Sequence, residues 1–109
     1  MNTGAHLPLR PVEFQVLASL TQSSQHGYAI LQEIEAREGA RAIPGLATLY
    51  RAIVRLEKEG LIPRVAEDFP SSEDDRRRIY RLTALGREVV TAEALRLAPL
   101  VEMVKEARS

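Results

Sequence analysis

Between Gly45 and Leu61, apolar residues fall at Leu46, Leu49, Ile53 and Leu56, at spacings of three and four. Such spacings draw one apolar stripe down a helix. Thr48, Arg51, Arg55 and Lys58 recur at helical spacing on the other side. One face is therefore shaped for a core, and the other carries three cations and a hydroxyl. Pro44 and Gly45 mark the start of this helix, and Gly60 is a stop residue just past its last turn. The same period predicts two helices upstream. Pro11 suits a first helical turn, where its missing N–H is not needed. Val12, Val16, Leu17 and Leu20 then form an apolar face over 11–21. Thr21 to Gln25 is a loop of turn formers. Ser24 or Gln25 begins a second helix that runs to Glu38, with Tyr28, Leu31 and Ile34 inward, Ile30 alongside and Gly39 as its stop. Residues 1–8 show no period and are expected to fray.

After Gly60 the pattern changes. Residues 62–68 and 77–82 read as two antiparallel strands joined by a loop through Phe69, Pro70 and Ser71. Thr83 is a good N-cap for a last helix. Continuous to Ala107, that helix extends roughly 36 Å at 1.5 Å per residue, with Pro99 expected to kink or interrupt it. Its apolar residues Leu85, Val89, Leu95, Leu97, Leu100, Val101 and Val104 wrap more widely than one small domain covers. This points to a dimer seam; a helix folded back on its own core is the alternative. The fold class is mainly α with a small antiparallel β hairpin, in the order of a winged helix-turn-helix. Residues 1–82 form the DNA-binding domain and 83–109 a C-terminal dimerisation helix, together one compact unit. In that layout the third helix enters the major groove and the hairpin touches the backbone or minor groove beside it.

At 109 residues the chain is one domain. It has no cysteine, which removes disulfides, thiolate zinc sites and cysteine catalysis. No apolar run is long enough to span a membrane and no signal-peptide pattern opens the chain, so a cytoplasmic protein is expected. The formal net charge is zero, but it is segregated. Five cations and two acids lie between Arg41 and Arg64, five acids and no cation between Glu67 and Asp75, and five arginines and no acid between Arg76 and Arg87. The two histidines, His6 and His26, lie apart in sequence, and Glu73, Asp74 and Asp75 form a charge run in a loop. Ser23 and Ser24 have no base at a recognisable spacing, and no glycine-rich phosphate loop is present. Neither catalysis, a metal nor a cofactor is expected.

Three stretches carry a family resemblance: H-G-Y-A-I at 26–30, A-T-L-Y-R-A-I-V-R-L-E-K-E-G-L-I at 47–62, and R-R-I-Y-R-L-T-A-L-G-R-E at 77–88. Together, in this order, they resemble the PadR-type transcriptional regulators, and the match covers nearly all of the chain. A chain this short with one C-terminal helix resembles the compact branch of that family. The resemblance implies a homodimeric winged-helix repressor, with the C-terminal helix in the dimer contact and a small-molecule effector or stress signal releasing DNA; a symmetric dimer would read a pseudo-palindromic operator. Family members usually have glycine where this chain has Ala47, and often proline where it has Arg51.

Residue by residue, Thr48 is placed to reach a base edge or a phosphate, and Arg51 and Arg55 to pair with guanine. Lys58 is read as a backbone contact. Tyr50 is either near the DNA backbone, as the family implies, or half-buried with its hydroxyl at the rim. Arg76, Arg77 and Arg78 form a second basic cluster on the wing; the alternative pairs them with the acids next door. The competing function is a winged-helix protein–protein interaction module without specific DNA binding.

Overall fold

The computed structural model describes residues 3–39, 45–63 and 78–108. Helix α1 spans Pro11–Leu20, α2 Gly27–Glu38, α3 Leu46–Lys58 and α4 Ala84–Arg108. Two short strands, β1 at Gln25–His26 and β2 at Ile79–Tyr80, pair antiparallel, with Gln25 opposite Tyr80 and His26 opposite Ile79. The apolar faces of α1, α2 and α3 meet in one core of Val16, Leu17, Leu20, Ile30, Leu31, Ile34, Leu49, Ile53 and Leu56. Leu61, Ile62, Tyr80, Val89 and Val90 complete it from the connector, β2 and the start of α4.

The end of α3 follows from Gly60. With φ at 78°, this residue adopts the left-handed conformation that glycine tolerates best. The Leu61 N–H then reaches back to the Leu56 carbonyl at 2.9 Å, and the Gly60 N–H to that of Glu57 at 3.1 Å. This is a Schellman closure, and its usual hydrophobic contact joins two fully buried residues, Leu56 and Leu61. The same turn receives α4. Thr83 Oγ1 donates to the Gly60 carbonyl at 2.6 Å and accepts from the Gly86 N–H at 2.9 Å, so Thr83 caps α4 while tying it to the end of α3. A Cβ on Gly86 would lie 2.1 Å from the Leu61 carbonyl oxygen, so no side chain fits at this crossing.

Several sequence expectations are corrected here. Helix α2 begins at Gly27 rather than Ser24 or Gln25, because Gln25 and His26 are extended and pair with β2. Ile62 and Pro63 are not strand; the rest of the expected 62–68 strand lies outside the described residues, while Ile79 and Tyr80 form the strand expected within 77–82. Pro99 does not interrupt α4, which is helical from Ala84 to Arg108. It stands on an exposed part of the helix, where a carbonyl deprived of its N–H partner can be hydrated.

Residues 3–8 do not fray as expected. Thr3–His6 forms a single 3-10 turn, Leu7 packs on the core and Leu9 is buried. Their anchor is Glu93, a buried acid on α4 whose carboxylate accepts the Leu9 N–H at 2.8 Å and an Arg96 N–H one turn on. The Arg96 hydrogen bond, helped by the Leu9 N–H, holds the Glu93 carboxyl below its ordinary value against the opposing effect of burial. A depressed carboxylate stabilises the fold above its unfolded pKa and loses that contribution as pH falls through the folded value. Replacing Glu93→Gln should therefore lower unfolding free energy at pH 7 by about 1–3 kcal/mol. Urea titrations should show the gap to wild type closing below about pH 4; a gap independent of pH would contradict the assignment.

Candidate nucleic-acid interface

Burial of Leu49, Ala52, Ile53 and Leu56 sets which residues α3 shows to solvent. The exposed ridge is Ala47, Arg51, Val54 and Lys58, successive at spacings of four, three and four. Thr48 and Arg55 are only partly exposed and flank the ridge on the side facing α1. Tyr50 flanks it on the other side. The ridge residues, with Tyr50 and Arg55, line an open groove of about 550 Å³. The face is thus rotated from the one expected from sequence: Val54 lies on it, and Thr48 and Arg55 lie at its edge.

Arg55 is further removed from the ridge by an ion pair. Its Nε lies 3.2 Å from Oε2 of Glu13, a buried acid on α1. The contact lacks hydrogen-bond alignment, since Oε2 has no hydrogen-bond partner, while Oε1 accepts the Arg10 N–H at 3.4 Å. Arg10, Glu13, Thr48, Arg51 and Arg55 share a smaller cleft of about 260 Å³ between α1 and α3. Arg51 and Lys58 are the ridge cations that stand exposed.

Tyr50 is half-buried against the core, and a Cβ on Gly27 would come within 2.7 Å of its hydroxyl oxygen. Its ring therefore rests over the first residue of α2. Arg78 is partly buried just before β2, whereas Arg76 and Arg77 lie outside the described residues.

Along α4 the seven expected seam residues divide. Val89 is fully buried in the chain's own core, and Leu85 is partly buried against it. Leu97 is half-exposed, and Leu95, Leu100, Val101 and Val104 are exposed, as is Met103, which sequence reasoning did not single out. The buried face of α4 contains Gly86, Val90 and Glu93. Continued at spacings of four and three, it runs through Leu97, Leu100 and Val104. The face therefore extends out of the core, and among the described residues its later members Leu100 and Val104 are exposed. Among the described residues, no helix is long and apolar enough to cross a membrane.

A cationic ridge on the third helix, a strand following it and a last helix running past the core define a winged helix-turn-helix regulator. The family model described as the transcriptional regulator PadR-like family matches residues 16–92. The chain belongs to this family, whose members are transcriptional regulators rather than enzymes. Among similar proteins, transcriptional regulator Rv3488 of Mycobacterium tuberculosis is 36% identical over 94 residues, covering 85% of this chain and 81% of that one. An uncharacterised 37.1 kDa protein in transposon TN4556 of Streptomyces fradiae is 40% identical over 91 residues, 84% of this chain. The chain spans only 24% of that longer relative. A PadR family regulator structure from Clostridium difficile shares the fold, with TM-score 0.71 at 20% identity over 92% of this chain and 100% of that one. A transcriptional regulator from Clostridium thermocellum superposes with TM-score 0.65 at 25% identity over 87% of each chain.

The Glu13–Arg55 pair also has a consequence for stability. Arg55→Ala leaves a buried carboxylate without its cation. A fully buried pair broken this way costs about 3–5 kcal/mol, but Arg55 is more than a third exposed and solvent screens the contact. The expected loss is about 1–2 kcal/mol, against less than about 0.5 kcal/mol for the exposed Arg51→Ala. Urea unfolding of both variants checks this; equal stability of the two would show the ion pair to be inconsequential. An alanine pair at 51 and 55 would accordingly lower stability as well as remove charge from this face.

Proposed function

We propose that this chain is a homodimeric, sequence-specific DNA-binding repressor that acts in the cytoplasm on a pseudo-palindromic operator and is released by a small-molecule or stress signal. The observation that carries the DNA reading is the ridge of Ala47, Arg51, Val54 and Lys58, held outward by the buried stripe on the same helix. Arg51 reads a base, guanine being the partner its guanidinium matches in a bidentate way. Lys58 and the flanking Thr48 meet phosphates, and Arg55 reaches toward the groove from its pairing with Glu13. The wing arginines Arg76, Arg77 and Arg78 belong to the adjoining backbone contact. Tyr50 positions α3 against α2 and offers its rim to the same backbone. Residues 1–82 act as the DNA-binding domain and 83–109 as the dimerisation helix. Repression and its release rest on the family resemblance.

The dimer reading rests on the uncovered half of α4. Leu97, Leu100 and Val104 continue a face whose earlier residues are buried, with Val101 beside them. A second copy placed antiparallel or parallel along this stripe would cover it and present two ridges to successive half-sites.

Two measurements decide these readings. Arg51→Ala should weaken binding to a selected operator about 10- to 100-fold, the value of one good base contact, and wild-type affinity should fall steeply with salt. Affinity indifferent to sequence, with Arg51→Ala equal to wild type, would favour the protein-interaction module instead. Leu100→Glu with Val104→Glu should convert a dimer into a 12.2 kDa monomer in sedimentation. Wild type already monomeric at micromolar concentration would remove the dimer.

A further inference from the structure

Val54 is the one large apolar side chain on the outward ridge of α3, 48% exposed. The core does not need it, because Leu49, Ala52, Ile53 and Leu56 fill the inward face. Single exposed apolar residues are common on protein surfaces. This one differs in its setting: Arg51 stands one turn before it and Lys58 one turn after, both exposed on the same ridge. Any polyanion docked by those cations must meet Val54 between them. Along the base edges of the major groove, the apolar feature is the C5-methyl group of thymine. Arg51 and Val54 are three residues apart, about 4.5 Å along the helix axis at 1.5 Å per residue. Base pairs are stacked about 3.4 Å apart, so a helix lying along the groove would bring the two side chains to neighbouring positions.

We propose that Val54 is a specificity-determining residue that recognises the C5-methyl group of a thymine beside the base pair contacted by Arg51. This rests on the DNA reading above and names a base preference that the cations alone do not supply. Loss of one buried methyl contact corresponds to about a fourfold change in affinity.

The test uses the purified full chain. A site is first selected from a random duplex library. Each thymine of the selected half-site is then replaced by deoxyuridine, which removes only the methyl group, and affinity is read by fluorescence anisotropy. In wild type, replacement at one thymine per half-site should weaken binding about fourfold for each methyl removed. Val54→Ala should lose that dependence while Val54→Ile retains it. Because position 54 is exposed, both substitutions suit the helix, and circular dichroism checks that they fold. The inference is overturned if wild type ignores every replacement, if Val54→Ala keeps the penalty at the same thymine, or if the selected half-site contains no thymine. A library that yields no preferred sequence overturns the DNA reading itself, and this inference with it.

Discussion

The rotation of α3 about its own axis is decided by where Leu49, Ala52, Ile53 and Leu56 are buried. Each large apolar side chain in such a core contributes about 1.5–3 kcal/mol. An exposed ion pair on a surface contributes about 0–1 kcal/mol. The core therefore overrules any preference of the surface charges, and the ridge opposite the stripe faces outward as a consequence. Schellman closure at Gly60 and the seating of Gly86 on Leu61 then lock the end of the helix to the next element. What α3 can touch is settled by residues that touch nothing outside the chain.

Within that frame, charge is allocated rather than summed. A net charge of zero says little about a chain along which cations and acids are segregated. At about 0.1 M salt the screening length is about 10 Å, so a bound polyanion responds to the ridge and not to the chain total. Glu13 refines the allocation. By engaging Arg55 from α1, it leaves Arg51 and Lys58 as the exposed cations of the ridge, with Val54 between them. The buried acid thus joins the packing of α1 on α3 to the electrostatics of the outer face.

Long periodic elements were legible in the sequence because each carries its own signal. The stripe of α3, the Pro11 start of α1, the Gly60 stop and the Thr83 cap all appear where their local chemistry requires. The β1–β2 pairing was not legible: two residues show no period, and Gln25 and His26 are extended only because Ile79 and Tyr80 lie beside them. The outer face of α3 was legible in kind but displaced in detail. Reading it from polar residues selected Thr48 and Arg55 and passed over Val54, whereas angular distance from the buried stripe would have placed Val54 on it. The anchoring of residues 3–9 depends on Glu93, which lies 84 positions beyond Leu9 in the sequence. An acid in the middle of an amphipathic helix gives no hint that it is buried.

The last helix joins two tasks that are usually separate. Its first half, through Gly86, Val89, Val90 and Glu93, belongs to the core that orients α3. Its second half carries the same face into solvent through Leu97, Leu100 and Val104. The sequence of spacings from Gly86 to Val104 alternates four and three, the period of a coiled-coil seam. In the proposed dimer, no flexible linker stands between seam and ridge. The separation of the two ridges, and hence of the two half-sites they could read, would be transmitted from the paired ends of α4 through Gly86 and Leu61 to Gly60 and α3. A change in how the two α4 ends pack would then move both ridges together.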